Sequence, residues 1–287
     1  MSKVETMTPL MGKPHESFEN DEVFLLDPSI KAKRRETIVA LVSRVLLGVG
    51  LLAAWEFVSG RFVDPFWISS PTRVATALVA LWNSGSLLQN IYATVTEAIA
   101  GFGFGVAAGM TVGVLFGANR LVAKILDPYL VGFYSIPRVA LIPLFILWFG
   151  IGFQTKVIYT AMLVFFPVFM NTLSGVRDVN QDLIDVIRVM GASRADTIRK
   201  VLIPSALAWL FAGLRISVPY ALVGAVVAEM FTSNVGLGYL ISYNANMLDT
   251  SALFATLAVT TALGLLLHKL VVQIEKRLLR WKPAEML

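Results

Sequence analysis

Asp185, Arg188, Gly191, Ala192, Ser193, Arg194 and Asp196 fall within twelve residues of one another, and Pro204 follows them, in a chain that is otherwise largely apolar. Covalent chemistry is not open to them. The chain has no cysteine, its only histidines are His15 in the N-terminal tail and His268 far from this run, and it contains no HExxH, GxSxG or P-loop Gly-x-x-x-x-Gly-Lys-Ser/Thr pattern. Contact is what remains. Asn180 can cap a helix over Gln181–Met190 that places Leu183, Ile187 and Met190 on one face, and Gly191 suits the left-handed position that ends it. Ser193 with Asp196 three residues on is a capping-box pattern opening a second helix through Lys200, and Pro204 suits the first turn of the helix after that. The charges left on the outside, Asp185, Arg188, Arg194 and Arg199, fit either a face for another protein or a solvated connector.

A second set of charges lies inside apolar segments. Arg138 and Arg215 each fall near the middle of such a stretch, where an unpaired charge costs about 3 kcal/mol or more in a membrane. Their guanidinium forks could attract an anion in a desolvated pathway, with Glu229 beside them. Equally, they could pair with Glu97, Glu229 or helix carbonyls and hold helices together. Arg44, about two turns inside its segment, reads as an arginine that snorkels to the interface.

These residues need a membrane scaffold to place them. With 56% hydrophobic and only 15% charged residues over 287 positions, the chain cannot bury its apolar surface in one soluble core. Apolar segments of spanning length occur at 37–59, 91–117, 125–149, 153–174, 204–231 and 251–274, which predicts six transmembrane helices in an all-α polytopic membrane protein. The net charge of +5 is read as orientation rather than as a nucleic-acid surface. Lys and Arg concentrate in the tail, at Arg120 and Lys124, over 177–200 and at the C-terminus, whereas the opposite side holds Arg61, Arg73 and Lys156. By the positive-inside rule both termini and the hairpin are cytoplasmic. The division that follows is a polar tail over 1–36, a first transmembrane helix with an external interfacial segment over 37–90, and a core over 91–280 with the hairpin at about 181–202.

Finer features refine this layout. Residues 72–82 read as a short amphipathic stretch, and 235–243 as a helix at the external mouth, too short to cross and too apolar for an open loop. Gly101, Gly105, Gly109 and Gly113 form a small-residue stripe suited to close helix approach, between subunits or within one, or more weakly to a pivot. Pro137, Pro143, Pro167 and Pro219 interrupt helices in a way that serves gating bends or ordinary packing.

The run Asp185-x5-Gly191-Ala-Ser-Arg194-x9-Pro204 resembles the EAA motif of the membrane subunits of bacterial ABC importers, with Gly six residues after the acidic position and Pro thirteen after the Gly. Ser135–Gly152, Val227-Ala-Glu-Met230 and Gly236-Leu-Gly-Tyr239 are similar to the nitrate, sulfonate, taurine and bicarbonate branch of that family, and the resemblance covers about 70–280. The chain departs from the motif at Asp185, Val186 and Ile187, which stand in place of Glu-Ala-Ala. The resemblance implies a type I ABC importer permease fold with a cytoplasmic coupling-helix hairpin, in the bacterial inner membrane. It implies a second permease subunit in a homodimer, two cytoplasmic ATPase subunits that bind the ATP and Mg, and a periplasmic or lipid-anchored solute-binding protein. No cofactor in this chain itself is expected. The solute implied is a small anion such as nitrate, bicarbonate, a sulfonate or an organic carboxylate. The rival from another class is a secondary transporter driven by ions through Glu97 or Glu229, which needs no ATPase.

Overall fold

The computed structural model describes residues 28–118, 121, 125, 128, 129, 132, 133, 135–179 and 181–278. Most of the polar tail, the Asn180 cap, Arg120, Lys124, His15, Arg280 and Lys282 lie outside them. The described residues are helical apart from turns and one isolated bridge between Ser59 and Val63. The helices are α1 (Pro28–Val58), α2 (Pro65–Ile68), α3 (Pro71–Asn83), α4 (Ser86–Gly117), α5 (Ile142–Phe149), α6 (Phe153–Arg177), α7 (Gln181–Val189), α8 (Arg194–Thr197), α9 (Ile203–Thr232), α10 (Leu237–Asn246) and α11 (Thr250–Leu278). Among the described residues, those up to Ala54 form one compact unit and those from Trp55 onward another.

Among the described residues five helical stretches are long and apolar enough to cross a membrane: Arg35–Val58, Ser86–Gly117, Phe153–Arg177, Trp209–Thr232 and Thr250–Arg277. The segment expected over 125–149 differs from the continuous helix read from its hydropathy. Its described part turns at Ser135 to Pro137, passes through a 3-10 turn over Arg138–Leu141 and only then becomes the eight-residue α5. Pro137 is the cause: it lacks an N–H and disfavours helical backbone at Ile136 before it, while Pro143 fits the first turn of α5.

Helices α4, α6 and α9 make the core, and glycine sets their spacing. Gly101, Gly105, Gly109, Gly113 and Gly117 are all buried on one face of α4. Opposite them on α6 stand Thr160, Val164, Val168, Thr172 and Val176, and a methyl group on Gly105, Gly113 or Gly117 would come within 2.6–2.7 Å of α6 atoms. The stripe therefore works within one protomer, letting two backbones approach until dispersion contacts are made along the whole face. Helix α9 approaches α6 in the same way: Gly213 and Gly224 of α9 meet Asn171 and Thr160, and Gly175 of α6 meets Trp209. Ile142 and Phe145 of α5 join Tyr159, Leu163 and Ala228 in a buried apolar cluster.

Short helices finish the end at which α4 begins. Glu56 accepts hydrogen bonds from the Thr72 amide at 3.0 Å and the Thr72 hydroxyl at 2.8 Å, and Trp55 Nε1–H donates to the Ile68 carbonyl at 3.1 Å. Ser69 Oγ meets Ser251 Oγ at 2.9 Å, which ties the α2–α3 corner to the start of α11. The expected amphipathic stretch is α3, and the helix expected over 235–243 is α10.

Candidate functional site

The hairpin between α6 and α9 is closed by local bonds. Gly191 has φ +83, its N–H donates to the Arg188 carbonyl at 2.9 Å, and the Ala192 N–H reaches back to the Ile187 carbonyl at 3.0 Å. That pair of bonds is a Schellman ending, which satisfies the last carbonyls of α7. Ser193 Oγ accepts from the Asp196 N–H at 3.1 Å and donates to Asp196 Oδ2 at 2.6 Å, so the expected capping box is present. Lys200 lies 2.7 Å from Asp196, and this bond, with those from Ser193, lowers the Asp196 carboxyl to about 2.

Two expectations here are corrected. The buried face of α7 is carried by Ile184, packed with Val176 and Val179 of the α6 end, and half-buried Ile187, whereas Met190 is 80% exposed. Met190 is the last residue before the chain reverses at Gly191, so helix periodicity no longer governs where it points. The second helix is also not α-helical through Lys200: α8 ends at Thr197 and a π turn over Ile198–Leu202 leads into α9. Pro204 has no N–H to donate to a carbonyl four residues back, so the α-helical ladder is interrupted where the π turn lies. The side chains of Leu183, Arg194 and Pro204 lie outside what is described.

The outer surface of the hairpin has the character of a contact. Val186, Val189 and Met190 are exposed, with Val189 at 89%, and Asp185 and Arg188 stand beside them with 3.8 Å between Oδ1 and Nη1. An apolar tip rimmed by charge is the composition of an interface centre and its rim.

The charges inside the bundle are placed differently from the sequence reading. Arg215 pairs with Glu275 near the end of α11, Nη2 to Oε2 at 2.6 Å and Nε to Oε2 at 3.2 Å, not with Glu97 or Glu229. Its side chain is 36% exposed while that of Glu275 is 4%. Glu275 went unnoticed because it precedes Lys276 and Arg277 and read as one of a charged end. Arg138 starts the 3-10 turn and lies 5.5 Å from the Phe166 ring centroid and 5.9 Å from that of Tyr220, in cation–π range. Phe166 also lines an apolar groove of about 800 Å³ with Phe104, Phe145, Phe153 and Phe165.

Glu229 is fully buried and serves the N-terminus of α10. Its Oε2 accepts from the Gly238 N–H at 2.7 Å and Oε1 from the Thr94 hydroxyl at 2.8 Å. Gly236 at φ +123 and Gly238 leave no room for a Cβ between α10 and α9, which explains why glycine recurs there. Glu97 is paired with Lys156, which the sequence counts only among the charges of the external side and which is 7% exposed in the first turn of α6. Lys156, Asn90 and Thr94 are thus functional candidates that sequence reasoning missed; the one available signal was a lysine three residues into an apolar run. Among the described residues no group of three His, Asp or Glu side chains could hold a metal.

Comparison with known proteins follows the same lines. Residues 101–280 match the family model described as binding-protein-dependent transport system inner membrane component. The chain is 33% identical over 239 residues to a Bacillus subtilis (strain 168) protein named as an aliphatic sulfonates transport permease, covering 83% of this chain and 87% of that one. It is 34% identical to the riboflavin transport system permease protein of Chloroflexus aurantiacus, over 90% of this chain and 97% of that one. Among solved structures, a chain of the inward-facing MetNI methionine ABC transporter superposes with a TM-score of 0.58 at 21% identity, over 67% of this chain and 95% of that one.

Proposed function

The chain belongs to the family of binding-protein-dependent transport system inner membrane components, and on that premise we propose that this ABC importer permease subunit carries a small organic anion inward across the bacterial inner membrane. It works with a second copy of itself, two cytoplasmic ATPase subunits that bind ATP and Mg, and a solute-binding protein outside. The observation that carries the reading is the hairpin: a Schellman ending and a capping box fix an exposed apolar tip directly between α6 and α9. ATPase closure against that tip would be transmitted to α9 through the π turn and to α6 through Ile184 packed on Val176. Asp185, Arg188, Gly191, Ala192, Ser193, Arg194, Asp196 and Pro204 form or frame this docking element. The distribution of Lys and Arg supports a cytoplasmic hairpin, cytoplasmic termini and an external α10.

For the solute, relatives named for sulfonates and for riboflavin have similar identity, so the relatives alone leave the class open. Arg138, against the aromatic groove, supports an anion with a carbon body. Arg215 and Glu229 are engaged by Glu275 and by α10, which makes them supports of the pathway rather than its lining. The ion-driven alternative is disfavoured because its two carboxylates are committed to Lys156 and to the α10 amides.

The test is reconstitution in vesicles with its ATPase and binding protein, using radiolabelled taurine, nitrate and bicarbonate as probes. ATP-dependent uptake of taurine in preference to the inorganic anions is expected, and Arg138→Gln should lower it at least tenfold without loss of the ATPase subunits. Uptake driven by an ion gradient without the ATPase would overturn the reading.

A further inference from the structure

Two carboxyl groups and one amine are buried together where α4, α6 and α9 meet the start of α10: Glu97 is 3% exposed, Lys156 7% and Glu229 0%. Their bonds form two sets. In the first, Glu97 pairs with Lys156, whose Nζ also donates to Ser233 Oγ at 3.2 Å, in the link that leads to α10. In the second, α10 is held by its own N-terminus. The Gly236 N–H donates to Asn90 Oδ1 at 2.6 Å, the Leu237 N–H to Thr94 Oγ1 at 2.8 Å and the Gly238 N–H to Glu229 Oε2 at 2.7 Å. Three successive amides that a helix start leaves without backbone partners are therefore taken by side chains of α4 and α9, one of them a carboxylate suited to the positive end of the helix dipole.

Packing alone does not call for such a cluster, since apolar residues of the same volume hold helices as well without the desolvation cost. A charge cluster is useful where an element has two positions, and α10 has the marks of one. Left-handed backbone bounds it on both sides, at Gly236 with φ +123 and at Leu248 with φ +57, the second a non-glycine residue that is 65% exposed. Such flanking positions concentrate the change in backbone angle when a short rigid element swings. Between them α10 rests on the apolar Leu222 and Val226 through Ile241, and on α11 through a long 3.4 Å bond from Asn244 to Thr256. Glu97 Oε2 is buried without a hydrogen-bond partner, and Glu229 adjoins Glu97. If α10 lifts, Glu229 loses the Gly238 amide and keeps only the Thr94 hydroxyl of α4, and Lys156, one carboxylate away, is the cation that can compensate it.

We infer that α10 is a movable cap over the outer end of the pathway, and that Glu97, Lys156 and Glu229 are the positioning residues that hold it closed and allow it to reopen. The inference rests on the importer reading for the external location of α10 and for ATP as the driver of its motion. Because the native chain lacks cysteine, a single Ile241→Cys reports on the underside of α10. The probe is an impermeant methanethiosulfonate added outside vesicles that hold the permease with its ATPase and binding protein.

Ile241→Cys should be protected without nucleotide and should label at least tenfold faster while ATP is being hydrolysed. Adding Lys156→Met should raise labelling at least tenfold without nucleotide, and adding Glu97→Gln to that variant should restore protection by removing the stranded charge. Labelling that does not change during ATP hydrolysis overturns the moving cap. A double variant as open as Lys156→Met, or one that fails to assemble, overturns the charge-balance role. Retention of the ATPase pair on the purified permease reports on the importer reading separately.

Discussion

The two ends of the bundle use the same residue types in opposite ways. At the hairpin, Asp185–Arg188 and Asp196–Lys200 are pairs between residues three and four apart, in water. At the α10 end, Glu97–Lys156 and Glu229–Gly238 join different elements and are almost without solvent. An exposed pair between near neighbours in sequence contributes little, because water screens it and both side chains lose freedom. A buried pair has already given up its hydration, so removing one member leaves a bare charge at a cost of about 3–5 kcal/mol. The hairpin charges can therefore change with little loss of fold and are available to a partner surface, while the α10 charges belong to the architecture.

Graded substitutions test that contrast. Lys156→Met, which strands Glu97, should have the largest effect: about 3–5 kcal/mol of stability, read as a lowered unfolding midpoint and poor recovery of the purified subunit in size-exclusion chromatography. Arg215→Gln leaves Glu275 with a neutral partner at a half-exposed site, and a smaller loss of about 1–3 kcal/mol is expected in the same assay. A loss as large as that of Lys156→Met would mean that solvent access does not set the scale.

Gly191→Val should cost about 1–2 kcal/mol, all of it from backbone, since nothing lies within 4 Å of the place a Cβ would occupy. Membrane insertion should be unchanged while ATP-driven uptake falls at least tenfold; normal uptake would remove the hairpin from the coupling. The smallest effect concerns pH. Asp196, with its carboxyl held at about 2 by Lys200 and Ser193, sits below its ordinary value of 3.8. The capping box therefore contributes fully above pH 3.8 and loses that contribution as pH falls through about 2. Hydrogen exchange at the Asp196 and Thr197 amides should be steady from pH 7 to 4 after correction for intrinsic rates and should rise below that, and Asp196→Asn should abolish the step.

The same contrast decides what could be read from the sequence. The hairpin was legible because its determinants are local: a glycine at a helix end and a Ser-x-x-Asp start act on bonds within a few residues. The spans were legible because lipid selects on composition over about twenty residues. The partner of Arg215 was not, because Glu275 is sixty positions away on another helix and carries no mark to separate it from its charged neighbours. The role of Lys156 was hidden for a related reason: near the external end of a span a lysine counts as an orientation charge unless its counter-charge, Glu97, is known to face it. The glycine stripe announced close approach but not its partner, since Thr160, Val164, Val168 and Thr172 on α6 form an ordinary apolar helix face. The break at Pro137 was written in the sequence as a proline, yet membrane helices tolerate proline as readily as they end at it.

The π turn over Ile198–Leu202 also sets a direction. A π turn amounts to one residue more than an α-helix needs over the same path, and each residue of an α-helix turns the chain by about 100°. The residue count between Thr197 and Ile203 therefore sets the angle at which the hairpin meets α9, while Ile184 on Val176 and Val179 sets the angle at which it meets α6. Deleting one residue there would turn α8 by about a quarter turn around the axis of α9 against that packing, so the bearing of the contact is encoded apart from its chemistry.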